Sequence, residues 1–226
     1  MNYMTKVLVI DCADYKDGNP TISINAAFKE LNLYEIFKAG ENILLKPNLL
    51  SAKNSDRAVT THPEIFKAVA LSLKEYGVNL SYGDSPATDS PLKAARVCGI
   101  EQIADDLEIS HADFENSYDY EFPQGKIAKR FKFVNAVKDH DGIISLCKFK
   151  THALTRFTGS MKNQFGLIPG LLKAKDHVKY PNEKDFAIML ADLNMALKPR
   201  LYVMDGVIGM EGNGPAAGTP RQIGLI

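Results

Sequence analysis

Short apolar runs alternate with amphipathic stretches along this chain, and most runs end in polar or glycine-proline punctuation. Lys6-Val7-Leu8-Val9-Ile10 is β-rich, stops at Asp11-Cys12 and precedes the Asp17-Gly18-Asn19-Pro20 cluster, which predicts a first strand followed by a loop. From about residue 24 to 37, Ala27, Phe28, Leu31, Tyr34 and Phe37 recur at three and four, the spacing of one helical face. Residues 42–45 predict a second strand, broken at Lys46-Pro47-Asn48 because proline has no ladder donor. Thr61-His62-Pro63-Glu64 has the form of a capping box with proline in the first turn. Ile65, Ala68, Val69, Ser72, Leu73 and Tyr76 continue the stripe to Gly77. Residues 78–82 predict a third strand that runs into Gly83-Asp84-Ser85-Pro86, and Ser90-Pro91 opens a helix ending near Cys98-Gly99.

Residues 100–130 lack a clear period and read as an insertion or a short antiparallel excursion, a possible inserted subdomain over 100–133. A helical turn over 134–140 precedes Gly142-Ile143-Ile144-Ser145-Leu146-Cys147, a near-continuous apolar run of the kind buried on both faces of a sheet. Phe186, Met189, Leu190, Leu193 and Leu197 mark a helix over 182–197; Pro199 stops it and residues 200–204 form the next strand. Residues 221–226 resemble the start of another strand without a stop signal, so a single α/β domain, incomplete at its C-terminus, is expected over 1–226. The strand-helix-strand order predicts a mostly parallel sheet with helices on both faces.

The 226 residues are 45% hydrophobic, enough for a full core. Lysine plus arginine equals aspartate plus glutamate at 27 each, so no global field recruits nucleic acid or an anionic membrane, and any attraction for an anion must be local. Cys12, Cys98 and Cys147 are far apart and form no C-x-x-C pair, which argues against a disulfide framework or an iron-sulfur cluster within this segment. With no signal-like or membrane-spanning stretch, a cytoplasmic protein is expected.

Candidate chemistry gathers at the predicted strand exits, the rim along which open α/β sheets bind ligands. Lys46, Lys148 and Lys162 are placed to meet a carboxylate or phosphate, with Asn48, Ser85 and Asn163 beside them. His62, His152, Asp84 and Asp205 are candidates to orient a ligand or transfer protons; the plainer alternative makes the aspartates caps and the histidines structural. The glycine-rich stretch from Asp205 to Gly218 reads as a loop. Gly209, Glu211, Gly212, Asn213 and Gly214 in it could surround an anion. Pro215 and the absence of a following helix pattern reject a dinucleotide fingerprint, and there is neither a phosphate-loop motif nor a nucleophile elbow.

Lys46-Pro47-Asn48, Thr60-Thr61-His62-Pro63, Gly83-Asp84-Ser85-Pro86, Lys148-Phe149-Lys150-Thr151-His152, Met161-Lys162-Asn163 with Gly166, and Asp205-Gly206 through Gly214-Pro215 together resemble the domain of unknown function family numbered 362. That resemblance implies a redox context, because members commonly accompany ferredoxin-like iron-sulfur modules; this chain carries no cysteine-rich module. The expectation is a redox-associated α/β domain that binds a small anionic metabolite or cofactor at the rim. The alternatives are a metal-assisted enzyme using His62, His152 and the aspartates, and a non-catalytic scaffold for a ferredoxin-like domain or partner.

Overall fold

Strands β1 (Asn42–Pro47), β2 (Asn79–Tyr82) and β6 (Gly142–His152) form the centre of the sheet, where nearly every side chain of β1 and β6 is buried. The computed structural model describes residues 6–86 and 89–226. Among them seven strands form one sheet in the order β3 (Ser110–His111), β2, β1, β6, β8 (Leu201–Glu211) and β9 (Thr219–Leu225), with β7 (Arg156–Thr158) pairing β6 beyond that path. The pairings β3–β2, β2–β1, β1–β6 and β6–β8 are parallel, whereas β9 and β7 add antiparallel edges. The protein is thus α/β with a mostly parallel sheet.

Alternate residues of the central strands enter two cores. Ile43, Leu45, Ile144, Leu146 and Val203 pack with Phe28 of α1 (Asn19–Glu30), Phe66 of α2 (Pro63–Lys74), Ala95 of α3 (Pro91–Cys98) and Ala104 of α4 (Ile100–Asp106). Leu44 and Ile143 face the other way, against Phe114, Val134 and Leu167. Beyond them, Phe131 and Phe133 of the antiparallel hairpin β4 (Ser117–Glu121) and β5 (Arg130–Val134) pack with Phe186, Met189 and Leu193 of α7 (Glu183–Leu197). Each fully buried aliphatic or aromatic side chain contributes about 1.5–3 kcal/mol of transfer free energy, so these two layers hold the rim in place.

Several expectations change. Residues 6–10 form no strand: Val7 and Val9 are exposed, and the segment touches the sheet edge only through backbone bonds of Ile10 with Ile226 and an isolated Asp11–Leu225 bridge. A β-rich run without a partner along its length cannot satisfy its backbone groups as a strand. The first helix begins earlier than its apolar stripe, with Pro20 in its opening turn, and ends at Glu30; a separate 3₁₀ turn, Leu33–Glu35, follows. The irregular stretch is ordered as α4 and the hairpin. The stretch from Asp205 to Glu211 is strand β8, paired to β9, so the loop is confined to the residues after it. The cap of α2 is His62, whose Nδ1 accepts the Glu64 amide at 3.2 Å. Thr61 is engaged elsewhere: its hydroxyl accepts from the Asn48 amide and donates to the Leu146 carbonyl.

Candidate functional site

At the C-terminal end of β1, Lys46 continues the face of Leu44 and points away from α1 and α2. Burial disfavours its charge, and the Lys46–Asp84 ion pair at 2.8 Å opposes that cost. Lys46 Nζ also donates to Asn163 Oδ1 and to the Pro47 carbonyl, both at 2.9 Å. Asn163, on the short helix α5 (Ser160–Asn163), donates through Nδ2 to the Lys46 carbonyl and Ser145 Oγ, and its Oδ1 also accepts from Asn48 Nδ2 at 3.1 Å. Asp84 is held by the amides of Leu49 and Ser85. Gly166 allows this knot to form, because a Cβ there would lie 1.9 Å from Asp84 Oδ1 and 2.6 Å from Lys46 Nζ.

Above the knot opens a cavity of about 360 Å³. Lys46, Lys150, Lys162 and Lys173 line it with His152 and His177, and Asp84 is the one carboxylate among the described lining residues. Lys150 is buried and donates to the Val59 carbonyl. Burial, with Lys162 and Lys148 adding repulsion, drives its pKa well below the usual lysine range. Lys173, on α6 (Gly170–Lys179), donates to the Ser85 carbonyl and is lowered to about 8 by burial, opposed by Asp84. Lys162 is lowered to about 8 by burial and by Lys46. His152 falls to about 4 through burial and the nearby lysines; its Nδ1 accepts the amides of Leu154 and Thr155, so the neutral ring carries its proton on Nε2. The site is a concentration of positive charge in a partly desolvated space.

The second group of predicted residues lies on the opposite face of the sheet. In β6, Lys148 continues the face of Ile144 and Leu146, and its Nζ pairs with Asp205 Oδ2 at 2.7 Å, with both side chains buried. Tyr15 Oη donates to Asp205 Oδ1 at 2.6 Å and accepts from Lys148 Nζ at 3.0 Å and from the Ile208 amide. The His62 amide donates to Asp205 Oδ2, and its ring stacks on Tyr15 with centroids 3.5 Å apart. Burial lowers the His62 pKa to about 4, opposed by Asp205. Every member of this cluster is engaged by another.

The expected rim constellation is therefore divided. Lys46, Asn48, Asp84, Ser85, His152, Lys162 and Asn163 line or support the cavity, while His62, Lys148 and Asp205 form the opposite cluster. His62 and His152 share no centre, and among the described residues no group of three or more His, Cys, Asp and Glu is placed to hold a metal ion. Nor does the glycine-rich segment surround the cavity: Gly209 packs against Phe149 and Ile223 within β8, Glu211 pairs with Arg221 at 3.1 Å, Gly212 and Asn213 are exposed, and Gly214 rests on Thr151. Of this stretch only Pro215 reaches the cavity wall. Cys147 is a core thiol that burial pushes up to about 12. From sequence alone Lys150 is a weaker binding candidate than Lys46 and Lys148, His177 reads as structural or exposed, and Lys173 belongs to no motif. The helix of Lys173 and His177 carries no local motif, although two lysines, a histidine and another lysine within Lys173–Lys179 signalled a basic helix.

A crystal structure of a protein from Thermotoga maritima superposes with a TM-score of 0.49 at 14% identity, covering 91% of this chain and 54% of that one. This chain thus spans about half the length of that protein. A thylakoid-associated protein of Synechocystis sp. (strain ATCC 27184 / PCC 6803 / Kazusa) is 32% identical over 97% of this chain and 68% of its own length. Residues 43–226, which contain both clusters apart from Tyr15, match the family described as Domain of unknown function (DUF362), and the chain belongs to that family.

Proposed function

We propose that this protein binds a small anionic metabolite or cofactor in the cavity above β1 and β6. The observation that carries the reading is the charge imbalance: four lysines face one carboxylate among the described lining residues, and that carboxylate is committed to Lys46. Lys150, Lys162 and Lys173 have no carboxylate of their own there, and burial holds all three below the usual lysine range. A carboxylate or phosphate entering the cavity would stabilise the ammonium forms by the Coulomb attraction they lack. The neutral-polar lining, with Asn48, Ser85 and Thr158, suits a ligand with hydrogen-bonding groups besides its charge.

Calorimetric titration with inorganic phosphate and with pyruvate tests this reading. Lys173→Met removes one charge-assisted hydrogen bond, about 1.5–3 kcal/mol, so affinity falls about tenfold or more. Lys74, exposed on α2, provides the control variant Lys74→Met, which leaves affinity unchanged. Equal binding by Lys173→Met and the parent, or no binding of any small anion by the parent, refutes the reading.

A further inference from the structure

The four cavity lysines differ in what holds them. Lys46 is fixed by Asp84, Asn163 and the Pro47 carbonyl, Lys150 by the Val59 carbonyl and Lys173 by the Ser85 carbonyl. The Lys162 ammonium makes no hydrogen bond and no ion pair among the described residues, yet the side chain is half-buried and lines the cavity. Its backbone is anchored all the same, since the next residue, Asn163, is tied to Lys46, Asn48 and Ser145 on two strands and the loop after β1. The result is a firmly mounted amine with an uncommitted tip.

We infer that Lys162 is a nucleophilic amine that condenses with the carbonyl of a small ligand whose anionic group is held by Lys150 and Lys173. This rests on the anion-binding reading above and names the ligand class: an anionic carbonyl compound. The surroundings support it. Lys162 lies close enough to Lys150, His152 and His177 to lower the pKa of each, so its amine stands among basic groups. Burial with Lys46 nearby brings it to about 8, so a substantial fraction carries the lone pair that attack requires. In the condensation the Nζ lone pair forms a bond to the carbonyl carbon, the carbon-oxygen bond breaks, and the oxygen leaves as water with the two amine protons. The product is an imine, and no oxidant or reductant is consumed.

Reductive trapping tests the inference. The protein is incubated with pyruvate or with dihydroxyacetone phosphate and cyanoborohydride, whose hydride reduces an imine to a stable secondary amine, and the modified residue is located by peptide mass mapping. The expected result is modification at Lys162, suppressed by excess inorganic phosphate. Adduct with pyruvate assigns a carboxylate as the anionic group, and adduct with dihydroxyacetone phosphate assigns a phosphate. Lys162→Arg keeps the positive charge and loses the adduct; its thermal unfolding, compared with the parent, shows that it is folded. Phosphate binding without a Lys162 adduct from either carbonyl compound overturns the imine and leaves the anion site standing. Modification no greater at Lys162 than at exposed lysines such as Lys74 also overturns it. Failure of the parent to bind phosphate, pyruvate or dihydroxyacetone phosphate at all refutes the anion site itself and the inference with it.

Discussion

Lys148→Met separates a structural from a ligand-binding role for the strand-exit lysine of β6. The substitution keeps most of the side-chain volume but removes the ammonium, leaving Asp205 buried with the Tyr15 hydroxyl and the His62 amide as its remaining donors. Removing one partner of a buried ion pair costs about 3–5 kcal/mol, and the two surviving hydrogen bonds place this case near about 3 kcal/mol. With a urea dependence of about 3 kcal/mol per molar for a chain of this size, the unfolding midpoint falls by about 1 M. Lys148→Met/Asp205→Asn recovers part of that loss, because the amide keeps an acceptor for Tyr15 without a buried unpaired charge. Titration of the folded variant with phosphate shows no loss of affinity, since Lys148 is on the face opposite the cavity and its removal only relieves repulsion on Lys150. The reasoning is refuted if the midpoint moves by less than about 0.3 M, about 1 kcal/mol on that slope. It is equally refuted if stability holds while phosphate binding is lost, which returns Lys148 to the ligand.

Sulfate, which keeps its double charge across the range, binds best below pH about 8 and weakens as pH rises, because Lys162 and Lys173, both near 8, lose their protons there. Near that pH, binding raises both pKa values and takes up protons, which calorimetry in buffers of different ionisation enthalpy detects; no uptake counts against these lysines. Gly166→Ala drives a methyl group into the Lys46–Asp84 pair. Thermal unfolding should show a loss of about 1–3 kcal/mol, and phosphate affinity should fall; an unperturbed variant contradicts the close approach.

The sequence was most legible where one physical cause acted alone. α2 shows a buried stripe, Pro63 and a polar cap in a few consecutive residues, and only the identity of the cap, His62 in place of Thr61, needed the structure. For β6 the same apolar continuity that marked the strand concealed which way Lys148 points, because a strand buried on both faces has no polar parity to read. Lys46 and Lys148 therefore looked equivalent and face opposite layers. The run at residues 6–10 misled because β propensity expresses packing on a sheet, and Val7 and Val9 have none. The glycines of β8 read as loop because local preference disfavours them in strands. Pairing with β9 prevails there, and Gly209 admits Phe149 and Ile223 at close range. Lys173 and His177 reach the cavity through the docking of α6, a long-range event that no local pattern encodes.

The two walls of the cavity also differ in how they are secured. Asn163 and Gly166 sit on a closed network of buried hydrogen bonds, whereas α6 contributes Lys173 and His177 with no fully buried side chain among its described residues. Among its described residues α6 is held to the neighbouring core through Leu172 and the His177 ring, stacked on Phe186 at 4.5 Å, so its free energy of local opening is expected to be smaller than that of the fully buried β1 and β6 and its amide exchange faster. An anion gripped by Lys173 slows that exchange, and part of its binding free energy is used in ordering the helix. Its residence time is then set by how often one thinly attached wall swings clear, with the other wall standing still.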